Sequence, residues 1–296
     1  MTDPTAAEYL TTQELAELLR IKERKVYDLA ASGQVPCIRV VGKLLFPRDE
    51  VKAWIQAGRS GPEVRGDLPS IVVGSHDPLL EWALRESASG LAGLFDGSFD
   101  GLGRFLAREA MACALHVHEP SGHWNIDTVQ AAAGALPVVL VRLVTRRRGL
   151  LLARDNPLKI SGIADLAPHR VVRRQETAAS ERHFQRLAEA EGLTPDALNG
   201  PQGAARTELD LARAVAEGQA DAAFGIESVA KPFGLDFLPL VEERFDLLVW
   251  RQAWFTEPMQ ALIGLVGRAG FADRAAELGG YDVGEALRVV MNGSAP

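Results

Sequence analysis

Three segments of the sequence set a hydroxyl just ahead of a helical pattern. Gly74-Ser75-His76-Asp77-Pro78 precedes Leu79–Leu84, Gly97-Ser98 with Gly101 precedes Leu102–Ala107, and Thr177-Ala178-Ala179-Ser180 precedes a pattern that begins near Glu181. The first-turn N–H groups of a helix lack intrahelical partners and the helix dipole is positive there, so such loops can hold an anion without a full countercharge. Ser and Thr are also ordinary N-cap residues, so each hydroxyl alone admits a structural reading. A fourth segment, His116-Val117-His118-Glu119-Pro120-Ser121-Gly122-His123-Trp124-Asn125, gathers three imidazoles and an indole. It admits a metal site, the wall of a pocket for an anionic or aromatic small molecule, or a structural role, and only Glu119 stands near as a further metal ligand. As a pocket wall, protonated imidazoles would supply positive charge, and affinity would then fall as pH rises through about 6.5.

The other residues equipped for chemistry are basic. Residues 1–66 hold ten Lys and Arg against nine Asp and Glu, which leaves 22 basic and 30 acidic residues downstream, so the net charge of -7 belongs to the larger part. Between Arg20 and Arg48, however, Arg20, Lys22, Arg24, Lys25, Arg39, Lys43 and Arg48 meet only Glu23 and Asp28. A basic window inside an acidic protein suits a nucleic-acid contact, and no strongly amphipathic basic helix points to a membrane. No apolar run is long enough to span a bilayer and the first ten residues lack a secretory pattern, so a cytoplasmic protein is expected. Cys37 and Cys113 lack any Cys-x-x-Cys or Cys/His spacing, which argues against a disulfide scaffold or a zinc finger. No dinucleotide, Walker or nucleophile-elbow motif is present, and neighbouring Ser75 and His76 do not by themselves position a base, so neither a cofactor nor catalysis is implied.

The elements that must carry the basic residues begin at Thr11. Thr11-Thr12-Gln13-Glu14 has the form of a capping box, and Leu15, Leu18 and Leu19 follow at helical spacing. Arg20 and Ile21 leave room for a tight turn before a second helix over Lys22–Ala31, stopped by Ser32-Gly33, with Lys22, Arg24, Lys25 and Tyr27 on or near its exposed side. Tyr27 also admits a packing role. Apolar Cys37–Val41 and Leu44–Phe46 flank Gly42-Lys43 as a hairpin, and Val51, Trp54 and Ile55 stripe a closing helix, which makes a winged helix-turn-helix. Tyr9–Ala16, Lys25-Val26-Tyr27, Gly33-Gln34-Val35-Pro36, Gly42-Lys43 and Phe46–Ile55 together resemble the excisionase-type, mercury-resistance-regulator-like DNA-binding domain. That resemblance implies a second helix in the major groove, with Arg24 and Lys25 at base edges. It also implies Arg39, Lys43 and Arg48 on phosphates and the hairpin on backbone or minor groove.

Gly58–Pro69, rich in Gly, Pro and charge, reads as a linker. Beyond it, Ile71-Val72-Val73 opens an α/β pattern, with further strands at 112–117, 138–144, 149–153, 170–172, 222–225 and 247–250 and helices between them, which predicts parallel sheets. Thr145-Arg146-Arg147-Arg148 is expected where the chain crosses between two lobes. The ordered set Gly74–Pro78, Gly97-Ser98 with Gly101-Leu102, His116, Gly149-Leu150, Asn156-Pro157, Arg174-Gln175, Gly218–Ala222, Leu235–Leu240, Glu243–Leu247 and Gly279–Asp282 resembles a type II periplasmic-binding-protein fold. More narrowly it is similar to the molybdate/tungstate-binding-like domain that bacteria attach to a DNA-binding head. The chain departs from that family after Arg174-Gln175, where Glu176 and Glu181 flank the loop in place of a glycine-rich run ending in arginine.

The resulting expectation is a small winged helix-turn-helix head with an α/β wing (1–57), a linker (58–69) and a two-lobed α/β type II periplasmic-binding-protein-like sensor (70–296). Lobe I covers about 70–144 and 246–296 and lobe II about 145–245. Ser75, His76, Asp77, Ser98, His116, Trp124, Arg174, Thr177 and Ser180 are the expected ligand residues. The partners are a double-stranded DNA operator, a small anion (an oxyanion such as molybdate or tungstate, or a small carboxylate) and a second copy of the chain, with no membrane. The alternative is a ligand-binding module whose head docks a protein or acts architecturally on DNA without ligand control.

Overall fold

In the computed structural model, which describes residues 8–57, 67–201 and 203–294, Thr11 opens the first helix through a full capping box: its hydroxyl accepts the Glu14 N–H, and Glu14 accepts the Thr11 N–H. The chain folds as two units, Met1–Gly66 and Asp67–Pro296. In the first, α1 (Thr12–Leu19) and α2 (Glu23–Ala31) are joined by a turn in which Arg20 is left-handed. The hairpin is β2 (Ile38–Val40) with β3 (Lys43–Pro47), and α3 (Arg48–Ala57) closes the unit. A short β1 (Tyr9–Leu10), which has too few residues to show a period, adds to the free edge of β3. Leu10, Leu15, Val26, Val35, Phe46 and Val51 form the core. Of the expected linker, 58–66 lie outside the described residues, whereas Leu68 is buried in the core of the second unit, a lone apolar side chain that a Gly/Pro-rich composition hides.

The second unit opens with β4 (Ile71–Gly74), α4 (Pro78–Glu86), β5 (Ala92–Leu94), α5 (Ser98–Leu106), β6 (Ala112–Leu115) and α6 (Ile126–Ala133). Then come β7 (Val138–Leu152), β8 (Val171–Val172), α7 (Ala179–Ala190), α8 (Glu208–Ala216), β9 (Ala222–Ile226) and β10 (Asp236–Trp250). The unit ends with α9 (Arg251–Trp254), α10 (Glu257–Val266), α11 (Ala269–Leu278), β11 (Tyr281–Asp282) and β12 (Val289–Asn292). The strand order is β5-β4-β6-β10-β7-β9-β8, with β11 and β12 also on β7. The helix–strand alternation predicts parallel pairing, and β4 with β5 and β6, and β8 with β9, are parallel. The two long strands β7 and β10 are antiparallel to each other and to their other neighbours, so the sheet is mixed.

Those two strands make the architecture two-lobed. The first half of β7 and the second half of β10 lie with β4, β5, β6 and β12 over one core, which holds Leu79, Phe105, Leu115, Leu140, Trp250 and Met259. Their other halves lie with β8 and β9, where Leu150 and Leu152 face one core and Leu151 the other, as the two-residue period of a strand requires. The sequence places a break at Thr145–Arg148, yet β7 runs through it. Arg146 and Arg148 point inward and are fully buried against carboxylates, while Arg147 between them is exposed and pairs with Glu227. The strand tolerates three arginines because two are neutralised inside.

Candidate functional site

Glu243 stands at the centre of the strand pair. It lies directly across from Arg146 in the β7–β10 register. Its carboxylate accepts from Arg146 Nε at 2.5 Å and Arg148 Nε at 2.6 Å, and is 3.1 Å from His116 Nδ1. Arg146 continues to Asp77 at 2.5 Å, in lobe I, and Arg148 to Glu208 at 2.9 Å, in lobe II. One carboxylate thus anchors two guanidiniums that reach into opposite lobes. Burial alone would raise the Glu243 carboxyl, but Arg146, Arg148 and His116 hold it well below the usual range. Against the same opposing burial, Arg148 and Arg174 bring Glu208 down to about 2.

The pairing leaves donors over. Arg146 Nη2, Arg148 Nη1, Arg174 Nε and Nη1, and the Ser180 hydroxyl are buried without a partner among the described residues, as is His183 Nδ1. Such groups are normally satisfied, and each costs about 1–3 kcal/mol when it is not. Arg174 adjoins the Glu208–Arg148 pair closely enough to feel both charges, and burial pushes its guanidinium below its ordinary value. Ser180 lies in the first turn of α7, which has no side-chain cap.

Of the three hydroxyl loops, the two in lobe I meet. Ser75 and Ser98 share a buried hydrogen bond of 2.8 Å, and Ser98 Oγ also accepts the His116 N–H at 3.3 Å. Gly101 lets α5 lie against the end of β4, since a Cβ there would stand 2.2 Å from the Gly74 Cα. Asp77 has a different task. Its carboxylate caps α4 by accepting the Leu79 and Leu80 N–H groups and also takes bonds from Arg146 and Tyr281, so it competes with an anion at that helix end. His76 bonds Glu81 at 3.0 Å and lines a separate cavity of about 470 Å³ with Leu84, Leu91 and Phe95.

The imidazole-rich loop does not gather its histidines at one point. His116 pairs with Glu243, and His118 stacks on His183 with centroids 4.3 Å apart and planes 2° from parallel. Trp124 meets both rings of that stack edge-on, at 4.9 and 5.3 Å, while His123 is exposed. Glu119, the possible metal ligand, instead accepts the Asp127 and Thr128 N–H groups at the start of α6. Burial lowers the pKa of His116 and of His118, and brings His183 down to about 3. The expectation of a protonated imidazole as countercharge therefore gives way to arginines.

His118 belongs to lobe I and His183 to lobe II, so their stack joins the lobes. Arg182 lies 4.0 Å over the Phe99 ring and Arg186 donates to the His118 carbonyl at 2.8 Å, also from α7 to lobe I. Beside these contacts a cavity of about 530 Å³ is lined by Asp96 and Asp100 from lobe I and Gln175, Thr177, Ala204 and Arg206 from lobe II. Arg146, Arg148, Glu208 and His183 were absent from the expected set. The signal for the arginines was their i, i+2 spacing within an apolar strand, whereas His183 had none.

In the first unit, Lys22, Arg24, Lys25 and Tyr27 are exposed along α2, and Arg39 and Lys43 are exposed on the hairpin, as expected. Tyr27 is 51% exposed, which leaves its ring free of the core. Arg48 is half-buried and lies close enough to Glu14 to lower its carboxyl, behind the capping bonds of Thr11. Tyr27, Arg39 and Lys43 line one groove of about 590 Å³ with Thr11, Thr12 and Gln13.

A helix-turn-helix domain profile matches residues 9–59 and a PBP superfamily domain profile matches residues 81–267. The chain is 23% identical over 304 residues to the uncharacterised protein YvgK of Bacillus subtilis (strain 168), covering 95% of this chain and 97% of that one. An uncharacterised protein from the 5′ region of a 2Fe-2S ferredoxin gene of Clostridium pasteurianum is 29% identical over 100 residues, 33% of this chain and 88% of that one. Among solved structures, a phosphate ABC transporter substrate-binding protein from Clostridium perfringens with bound phosphate aligns at a TM-score of 0.52 and 14% identity. It covers 70% of this chain and 96% of its own, a likeness of fold. Among the described residues no helix is long and apolar enough to cross a membrane.

Proposed function

Because the chain belongs to the PBP superfamily and carries a helix-turn-helix domain ahead of that region, we propose that it is a ligand-responsive transcriptional regulator. Its second unit binds a small anion between the lobes and alters how the first binds an operator. The observation that carries this reading is the group of buried donors, without partners among the described residues, on Arg146 and Arg148 of β7, on Arg174 just past β8 and on Ser180 of α7. An oxyanion or carboxylate accepts from every one of them.

In this reading Arg174, Ser180 and the free Nη groups of Arg146 and Arg148 hold the anion. Thr177 borders its entrance, and the linked Ser75, Ser98 and His116 set the lobe I wall. The His118–His183–Trp124 cluster closes one side, and Asp77 and Glu243 orient the arginines. His76 takes no part. In the head, Arg24 and Lys25 read base edges, Lys22 and Tyr27 flank them, and Arg39, Lys43 and Arg48 neutralise phosphate. The chain acts in the cytoplasm as a homodimer, because one recognition helix covers half of a palindromic site.

The test is a thermal-shift panel of the full chain with molybdate, tungstate, phosphate, sulfate and small carboxylates, repeated on Arg174→Gln. At least one anion should raise the melting temperature of the wild type and shift the variant less. A panel that moves neither protein sinks the anion reading.

A further inference from the structure

The cavity between the lobes has the wrong charge to serve an inorganic anion alone. Its charged lining is Asp96 and Asp100 on lobe I and Arg206 on lobe II, so carboxylates outnumber cations. Asp100 is occupied, since Arg104 donates to it at 2.7 Å along α5. Asp96 is exposed, and its carboxylate has no partner among the described residues. Gln175 spans the two lobes there: its Nε2 donates to the Asp96 carbonyl at 3.5 Å, which leaves its Oε1 buried and without a donor among the described residues. A buried amide oxygen left unbonded costs free energy until a donor reaches it. Two unused acceptors, one from each lobe, thus border one cavity.

The same lining adjoins the donors already assigned to an anion. Gln175 follows Arg174 directly, and Thr177 stands three residues before Ser180. The lobes also touch at this point, because a Cβ on Gly97 would lie 3.5 Å from the Thr177 carbonyl oxygen. At about 530 Å³ the cavity falls within the range of roughly 300–1,000 Å³ usual for organic ligands, so a tetrahedral oxyanion would fill little of it. A molecule held by an anionic head on Arg174 and Ser180 extends past Gln175 toward Asp96. A plain carboxylate or oxyanion placed there meets the like charges of Asp96 and Asp100 and leaves Gln175 Oε1 unbonded. An ammonium group brings three donors and the opposite charge, which serves both acceptors at once.

We infer that the ligand of the second unit is an ammonium-bearing anion, an amino carboxylate or amino phosphonate, whose nitrogen bonds Asp96 and Gln175 Oε1 between the lobes. The inference rests on the reading of the second unit as an anion receptor and narrows it. Asp96 and Gln175 become the residues that select the ligand. Because Asp96 belongs to lobe I and Arg174 to lobe II, one bound molecule bonds both lobes and favours the arrangement in which they meet.

The experiment uses the full chain and probes in matched pairs that differ by one amine: glycine with acetate, β-alanine with propionate, γ-aminobutyrate with butyrate, and aminomethylphosphonate with methylphosphonate. Inorganic oxyanions are run beside them. Thermal shift finds the responsive pair, and calorimetric titration then measures both members. The ammonium member should bind about tenfold tighter or more, as one charged hydrogen bond provides. Asp96→Asn should cost that member about tenfold and bring the pair within about threefold of each other, while the amine-free member binds as well as before or better, which shows an intact fold. Arg174→Gln should weaken both members alike, because it meets the anionic head they share. The inference is overturned if amine-free members bind as tightly as their partners, or if Asp96→Asn keeps the preference. If oxyanions or amine-free anions alone raise the melting temperature, the anion reading stands and this inference falls; if no probe raises it, both fall.

Discussion

Among the described residues, Arg174 differs from the buried Arg142, Arg146 and Arg148 in having no carboxylate bonded to it. Arg146 and Arg148 are each tied to two acidic residues, whereas Arg174 has two unpartnered nitrogens. Removing a partner from a bonded pair strands a charge, whereas Arg174 supports Glu208 only through space, its own burial outweighs that support, and Glu208 keeps its bond to Arg148 without it. Arg174→Gln is therefore expected to leave the urea midpoint unchanged or slightly higher while weakening the responsive anion by about tenfold or more, consistent with a charged hydrogen bond of roughly 1.5–3 kcal/mol. A variant that loses stability and keeps affinity would move Arg174 out of the site. His183 makes a second prediction. Burial, with help from His118, holds its pKa at about 3, well below the value near 6.5 in an unfolded chain. Its folded form refuses a proton that the unfolded form accepts, so it subtracts stability as pH falls below about 6.5, increasingly toward 3. Between pH 7.5 and 5 this amounts to about 2 kcal/mol. His183→Phe, which keeps a ring in the stack, should lose less stability over that interval in paired urea melts, and equal losses would contradict the assignment.

Strands β7 and β10 hold both lobes, and their central pair decides how firmly. Glu243 is fully buried and bonded to both guanidiniums, so Glu243→Gln leaves two buried cations short of one charge, at a cost of about 3–5 kcal/mol. The urea transition of the second unit should move by that amount, and a change under about 1 kcal/mol would show that the network is not holding the strands. The same pair marks what was legible beforehand. The winged helix-turn-helix could be read almost entirely, because its capping box, its helical spacing and its Gly42 turn are local signals. The Ser75 and Ser98 loops were also visible, because a hydroxyl before a helix is a short pattern. The continuity of β7 through Thr145–Arg148 was not, since it depends on Glu243, Asp77 and Glu208 arriving from distant parts of the chain to neutralise it. The first half of β10, with Glu242, Glu243 and Arg244, was hidden for the same reason. His183 could not be seen at all, because its partners His118 and Trp124 come from the other lobe.

For the whole molecule, the proposed regulation is a claim about coupling between an anion site in one unit and a DNA site in the other. Contacts from α7 to lobe I, through His183, Arg182 and Arg186, are those that separating the lobes would break, so an anion that bonds Ser180 and Arg174 of lobe II and also touches the Ser75–Ser98 wall of lobe I would favour the closed arrangement. If closure changes operator affinity by some factor, operator must change anion affinity by the same factor, because both describe one thermodynamic cycle. A typical coupling of about 1–3 kcal/mol corresponds to roughly five- to 150-fold. The two factors can be measured separately, by fluorescence anisotropy of a labelled duplex with and without saturating anion, and by calorimetric titration of the anion with and without saturating duplex. They should agree, and Arg174→Gln should abolish the anion's effect on the duplex while leaving the duplex affinity of the anion-free chain unchanged. A salt series sets the baseline: Arg24, Lys25, Arg39 and Lys43 all reach phosphate or base in this reading, so affinity should fall steeply as salt rises. If saturating anion leaves duplex affinity where it was, the two units are joined but not coupled, and the chain binds its ligand without acting on it as a regulator.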